Sequence, residues 1–419
     1  MALKISILSS SDLSGGAARA AYRLHDGLRR QGVVTRMFVQ SKGSDDRDVV
    51  GPSTKFERVA SRARADIDLL PSRNYRKVSL FSPAWLPNGK ALKQALSIDP
   101  DVVNLHWINA GFVRIEQLVA LKKPIVWTLH DMWPFSGGCH YDGGCGLYKT
   151  ACGACPVLNS TEERDLSRKV FDRKMAIWPQ LDLTIVTPSR WLAEEAAKSA
   201  LFAGRRIEVI ANPLDLGRYR PLNQGFARDV LGLPPDRRYI MFGAMDPASE
   251  KRKGFGYLQT ALDRIRAAGN LPDLALLVVG KRPANAETLL PGVEAHYTGH
   301  LGDDISLSLA YSAADVFVAP SIQDNLPNTV AEALASGTPC VAFDIGGMPD
   351  MIRHQENGFL ARPFDTEELA AGLTWVLSDQ ERLARLRRQA RATAEALFDV
   401  PTQCRHYAGV FESLARRGA

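Results

Sequence analysis

The stretch SIQDNLPNTVAEALASGTPCVAFDIGGMPDMI, Ser321 to Ile352, decides the fold. It reads as the end of a strand at Ser321, a turn through Pro327, and a helix from Asn328 that carries Val330, Ala331, Ala333 and Leu334. Gly337 follows that helix, and the apolar run Pro339–Phe343 is the next strand. Strand, helix and strand in so short a span form the parallel crossover unit of an α/β sheet. Asn328 and Thr329 are suited to cap the helix, and the N–H groups of its first turn form an anion site. Asp324 stands just before the helix and Glu332 eight residues later, two carboxylates able to accept from paired hydroxyls. The plainer reading of the same spacing is a capped helix with two exposed acids placed for the helix dipole.

Outward from this unit the chain repeats its grammar. Strand candidates in the first half are Lys4–Ser9, Val34–Val39, Val102–His106, Ile125–His130 and Leu183–Pro188. A second series comprises Tyr239–Gly243, Ala275–Gly280, Ala295–Gly299, Val316–Pro320 and Pro339–Phe343. Amphipathic segments separate the strands, so each series can build its own parallel sheet. The change-over falls near Ile207–Pro221, where prolines and turn residues gather. The end of the chain reads as helix over Thr366–Leu377 and Gln380–Leu397, a break at Pro401, and a last helix from about Gln403 to Arg416.

With 419 residues there is room for two α/β domains of ordinary size. Hydrophobic content of 45% and charged content of 23% are those of a soluble globular chain, and no apolar run approaches bilayer-spanning length. Met1 to Ser9 reads as a strand with no basic leader or cleavage site, so the expectation is a cytoplasmic protein. A net charge of +6 favours contact with something anionic, a phosphorylated ligand or a membrane surface. Aromatics are too sparsely interleaved with the basic runs for a nucleic-acid groove. Residues 55–82 hold Lys55, Arg58, Arg62, Arg64, Arg73, Arg76 and Lys77, with Trp85 shortly beyond. This is either an insertion that meets a membrane or an acceptor, or a solvated basic helix.

Three further segments carry chemistry. FGAMDPASEKRKGFGYL, Phe242 to Leu258, follows a strand at the carboxyl edge where α/β ligands bind, and Lys251, Arg252 and Lys253 lie in it. ILSSSDLSGGAARAAYRL near the N-terminus is strand, glycine turn and helix: Gly15 and Gly16 let a ligand approach the backbone. It lacks the lysine and hydroxyl of a P-loop and is not the dinucleotide fingerprint. PIVWTLHDMWPFSGGC puts His130 and Asp131 at a strand end, while His106 ends the preceding strand and reads more plainly as a satisfied core histidine. Cys139, Cys145, Cys152 and Cys155 crowd into one glycine-rich loop. Four thiolates can close a structural zinc site, with disulfides or free thiols as the alternatives; Cys340 and Cys404 read as core.

The Ser321–Ile352 segment resembles the signature of retaining glycosyltransferases of family 4, in which two acids are separated by seven residues. The first is usually Glu in a Glu-Gly-Phe-Gly context; here it is Asp324, followed by Asn325, Leu326 and Pro327. The run QDNLPNT is similar to members that serve colanic-acid-type exopolysaccharide synthesis. The resemblance implies a GT-B fold: two Rossmann-like domains with a cleft between them and C-terminal helices crossing back to the first. Residues 1–205, with 390–419 packing back, would be the acceptor domain, and 206–390 the sugar-nucleotide domain. It implies that Asp324 contacts the donor sugar, Glu332 the ribose, Lys253 the pyrophosphate and His130 the sugar near the reaction centre. The Gly15–Gly16 loop would lie beneath the donor phosphates, and Asn328 and Thr329 at the helix start beside the donor. The arginine that the family places just after the glycine of the 242–258 loop is replaced by Ala244, with Arg252 or Lys251 as substitutes. Gly346, Gly347, Ser189 and Asn212 fall at strand ends in the family pattern.

The implied reaction is sugar transfer from a nucleoside diphosphate sugar to a hydroxyl of a glycan or lipid-linked acceptor, with no metal cofactor needed for catalysis. A growing polysaccharide unit fits that acceptor, and peripheral contact with the inner face of a membrane would follow. A nucleotide-sugar epimerase on the same fold, and a non-catalytic GT-B scaffold, are the alternatives.

Overall fold

In the computed structural model, residues 3–77, 79–243, 251–283 and 292–417 are described. The chain divides into two compact units: residues 1–213 with 400–419, and residues 214–399.

The first unit is built on a parallel sheet of β1 (Lys4–Ser11), β2 (Val34–Ser41), β3 (Val49–Val50), β4 (Val102–Leu105), β5 (Ile125–Thr128), β6 (Leu183–Thr187) and β7 (Ile207–Val209), in the order β3-β2-β1-β4-β5-β6-β7. The central strands are apolar on both faces, as a sheet covered on both sides requires. One core gathers Leu8, Leu105, Trp127, Trp133 and Trp178; another joins Ile5, Leu24, Leu28 and Met37 to Tyr407, Phe411 and Leu414 of the last helix. That last helix, Val400–Ala415, starts earlier than its sequence suggests. Pro401 sits in its first turn, where a proline's missing N–H costs nothing. Ile207–Val209, in the stretch read as a change-over, pairs with β6 because its residues continue the ladder before Pro213.

The second unit holds β8 (Arg238–Gly243), β9 (Leu274–Val279), β10 (Glu294–Gly299), β11 (Val316–Ala319), β12 (Cys340–Phe343) and β13 (Gly358–Ala361), all parallel, in the order β10-β9-β8-β11-β12-β13. The helices Phe255–Ala268 and Thr366–Leu377 cover one face through Leu258, Leu262, Leu369 and Leu373. The Gln380–Phe398 helix belongs to this unit, with Leu383 and Leu386 in its core. The order reverses direction between β8 and β11, so the loops after those strands diverge and leave room at the carboxyl edge.

Candidate functional site

In the second unit three adjacent strand-end loops converge on one carboxylate. Lys253 follows β8, Asp324 follows β11, and Gly346 and Gly347 follow β12. Lys253 Nζ lies 2.8 Å from Asp324 Oδ2 and Arg252 Nη1 3.1 Å from the same oxygen. Ser321 Oγ donates to it at 3.2 Å, and the Asn325 N–H donates to Oδ1 at 3.1 Å. Backbone bonds stitch the loops together: Ile322 N–H to Arg252 O at 2.9 Å, and Gly347 N–H to Asp324 O at 3.2 Å. Arg252 also donates to Gln323 O at 3.0 Å. Burial would raise the Asp324 pKa, but Lys253 and Arg252 outweigh it and hold it down at about 2. The site therefore carries a permanent carboxylate beside two fixed cations.

The approach of these loops is close enough to require glycine. Gly254 has φ +73° and Gly346 φ +55°, and a Cβ on either would fall 1.8 Å from Pro320 O or 2.0 Å from Asp324 O. Ala244 lies outside the described residues.

The acids are not the two exposed caps of the plainer reading: Asp324 is 5% exposed and Glu332 3%. Glu332 lies inside the Asn328–Ala335 helix, where the Tyr311 hydroxyl donates to it at 3.3 Å. The helix cap also differs from expectation. Pro327 occupies the cap position with φ −63° and ψ 121° and has no side chain to accept a bond, so Asn328 and Thr329 are the first helical residues rather than caps.

The first unit assembles its own set at the carboxyl edge. Gly15 takes φ 91° at the start of the Gly16–Arg30 helix, and a Cβ there would meet nothing within 4 Å. Glycine is needed at this point for the backbone, and the space over it is open. Asp12, fully buried, accepts from Gly43 N–H at 2.8 Å and Ser44 N–H at 2.9 Å, tying the loops after β1 and β2.

His130 lies in the loop after β5, two residues past its end. Its Nε2 is 2.9 Å from His106 Nδ1, and His106 Nε2 is 2.9 Å from Asn104 Oδ1. Asn104 Nδ2 donates to Val126 O at 3.0 Å, which fixes the amide orientation. His106 must then donate from Nε2 and accept at Nδ1, and His130 donates from Nε2 and keeps its lone pair on Nδ1. His106 is thus a satisfied core histidine and also the group that sets the tautomer of His130. Burial lowers both pKa values, His130 to about 4 against the opposing pull of Asp131, and His106 well below the ordinary histidine value.

His25, also fully buried, is lowered to about 4 by burial against the opposing pull of Asp46. A histidine whose folded pKa lies below its unfolded value of about 6.5 contributes stability that is complete above pH 6.5 and is lost as pH falls through the folded pKa. Between pH 7 and 4, His25 and His130 should each cost the fold on the order of 3 kcal/mol. The pKa of Asp324 lies near 2, below that window. Thermal unfolding followed against pH should show the first unit weakening from pH 6.5 down to 4. A flat profile over that range would mean that these rings are not held neutral.

Asp131 accepts from Trp107 Nε1 at 3.0 Å and from Trp133 N–H at 2.9 Å, and pairs with His140 Nδ1 at 2.6 Å. Ser82 Oγ lies 2.9 Å from His140 Nε2. Ser82, His140 and Asp131 are all buried, so this network pins the 131–140 loop rather than presenting a nucleophile. The four clustered cysteines are unpaired thiols. Cys139, Cys152 and Cys155 are buried in the core, and burial raises the thiol pKa values. The buried Lys174 Nζ lies 3.6 Å over the Trp133 ring and donates to Ser136 O at 2.9 Å. Among the described residues no three Cys, His, Asp or Glu side chains are grouped closely enough to hold a metal ion.

Sequence reasoning missed Asp12, Asn104 and His140. A carboxylate one residue beyond β1 was a usable signal for Asp12. Asn104 sits mid-strand in an apolar run, and its role depends on what packs above it.

Parallel sheets in each unit, with cations and a carboxylate at the carboxyl edge, define a GT-B type glycosyltransferase fold. Two family models match the chain: Glycosyltransferase Family 4 over residues 14–218 and Glycosyl transferases group 1 over residues 236–379. Neither model alone spans half of the chain, and together they show a glycosyltransferase of the family 4 type. It is 32% identical over 202 residues to the D-inositol 3-phosphate glycosyltransferase of Rhodococcus erythropolis, a match that covers 45% of each chain and so about half the length of that relative. It is 26% identical over 350 residues to WcaC of Escherichia coli, assigned as a colanic acid biosynthesis glycosyl transferase, covering 78% of this chain and 80% of WcaC. Similar solved structures include sucrose-phosphate synthase from Thermosynechococcus elongatus (TM-score 0.68, 19% identity, 98% of this chain and 99% of that one). Another is Anabaena Alr3699/HepE in complex with UDP and glucose (TM-score 0.63, 18% identity, 98% and 100%). At these identities the likeness speaks for the fold.

Proposed function

We propose that the enzyme transfers a sugar from a nucleoside diphosphate sugar to a hydroxyl of a glycan or lipid-linked acceptor in polysaccharide assembly, with retention at the anomeric carbon. The observation that carries this reading is the Arg252–Lys253–Asp324 cluster at the carboxyl ends of β8 and β11. A departing nucleoside diphosphate gains negative charge as the glycosidic bond breaks, and preorganised cations stabilise that charge more in the transition state than in the ground state. Lys253 and Arg252 supply the charge that a divalent ion would otherwise bring. Asp324, ionised at any working pH, accepts from sugar hydroxyls. Glu332 accepts from the ribose diol, and His130, neutral, stands beside the reacting sugar. The second unit is the donor-binding half, and the first receives the acceptor. HepE forms complexes with UDP and with UDP-glucose, and WcaC is named for colanic acid biosynthesis; both support this choice of donor and acceptor class.

A thermal-shift screen with UDP-, GDP- and dTDP-sugars tests the donor. One class should raise the melting temperature by mass action, and no response to any of them at millimolar concentration would remove the donor site. Glu332→Gln is expected to raise the KM of the productive donor severalfold with kcat nearly kept, because a ribose contact is shared by ground and transition states. Tyr311→Phe separates this from packing, since it strips a protein hydrogen bond from Glu332 and should leave KM unchanged. Equal KM values in wild type and Glu332→Gln would take the residue out of the site.

A further inference from the structure

The Lys55–Asp68 helix is mounted with its polar side inward. Thr54 and Glu57 form a reciprocal cap, with Glu57 N–H donating to Thr54 Oγ1 at 3.1 Å and Thr54 N–H to Glu57 Oε2 at 3.3 Å. What ties the helix down is charged. Arg64 donates to Gly111 O at 2.9 and 3.0 Å and to Pro87 O at 2.7 Å. Asp68, fully buried, accepts from Trp85 N–H at 3.1 Å, and Glu57 pairs with Lys90 at 2.5 Å. The apolar residues point the other way. Phe56 is 81% exposed, Val59 64%, and Ile67 and Leu70, the latter just past the helix, 39% each. With exposed Ala63 they recur every three or four residues, one continuous stripe along the outer face. A surface helix of a soluble domain turns such a stripe to the core; this one turns it to solvent. Lys55, Arg58 and Arg62 are exposed on the helix, and Arg73, Arg76 and Lys77 are exposed in the segment that follows it, against one exposed acid among the described residues of 55–77, Asp66.

We propose that this face seats the enzyme on an anionic lipid surface, with Phe56, Val59, Ile67 and Leu70 entering the boundary between headgroups and acyl chains and the flanking arginines and lysines meeting lipid phosphates. A second copy is a poorer occupant. A two-fold contact would set the same cations against one another across the stripe. The inference rests on the helix alone and holds whether or not the donor-site reading does.

Sedimentation of the full chain with vesicles tests it, using phosphatidylcholine alone and phosphatidylcholine with phosphatidylglycerol. Binding to the anionic vesicles is expected, weakening as salt is raised, with little binding to the neutral ones. Phe56→Ser with Val59→Ser should reduce that binding at least about tenfold, since both apolar insertions are lost. Arg58→Glu with Arg62→Glu should reduce it by a similar factor and remove much of its salt dependence. Both pairs are on the surface, so the melting temperature and the donor-induced thermal shift should stay as in the wild type. Wild-type protein that stays in the supernatant with anionic vesicles at low salt overturns the proposal. So does equal binding by the Phe56/Val59 variant, or a dimer in solution that this variant dissociates.

Discussion

Lys253→Ala is expected to lower kcat by at least about tenfold, the scale on which one preorganised charge contact to a developing anion acts. Its ammonium is held in place before any donor arrives, 2.8 Å from Asp324 and one residue before the Gly254 turn, so no rearrangement is needed when charge develops on the leaving diphosphate. Removing it leaves Arg252 and Ser321 on Asp324, so the loop keeps two of its ties and the second unit should stay folded. Lys253→Arg should restore part of the rate. Arg252→Ala is expected to be nearly as harmful, because Arg252 holds both Asp324 and Gln323 O, whereas Lys251 is exposed and its loss should matter least. Steady-state kinetics with a melting curve for each variant decide this. Wild-type kcat and KM in all three would mean that the loop does not hold the diphosphate.

Gly254→Ala is expected to weaken the second unit by about 2–4 kcal/mol and to cut kcat/KM more than tenfold. The φ of +73° alone costs an L-residue about 1–2 kcal/mol. The larger effect is steric: the new Cβ would lie 1.8 Å from Pro320 O, a backbone atom, so either the helix start or the β11 end must move. Both carry site residues, and the displacement would separate Lys253 from Asp324. Gly256→Ala is the control. Its Cβ meets nothing within 4 Å, and it lies inside the helix, where alanine should stabilise by about 0.5–1 kcal/mol. A Gly254→Ala protein that melts and turns over like the wild type would show that the close approach is not needed.

Most of the architecture could be read without coordinates, and the reason is local. Runs such as the LTIVT strand and the NTVAEALA helix must bury apolar side chains, continuously in a strand covered on both faces and with a period of 3.6 in a helix, and those patterns are written in consecutive residues. Strand ends then fell within one or two positions of the structure. Asp324, Glu332, Lys253 and His130 could be singled out because family motifs and strand ends coincide there, though local sequence could not tell buried acids from exposed caps.

What the tertiary structure alone decided are the partners. Lys253 and Asp324 are separated by 71 positions and meet because β8 and β11 are neighbours in the sheet, an order that no local period encodes. His106 became the group that sets the tautomer of His130 only once β4 and β5 lay side by side with Asn104 beneath. The basic stretch after Lys55 is ambiguous as a string, since charge and apolar spacing say that a helix has two faces but not which one turns inward. Arg64 and Asp68 settle that by bonding to backbone more than 15 residues away, at Gly111, Pro87 and Trp85. Propensity and pattern act over a few residues, whereas polar pairing is a property of whichever segments the sheet order brings together.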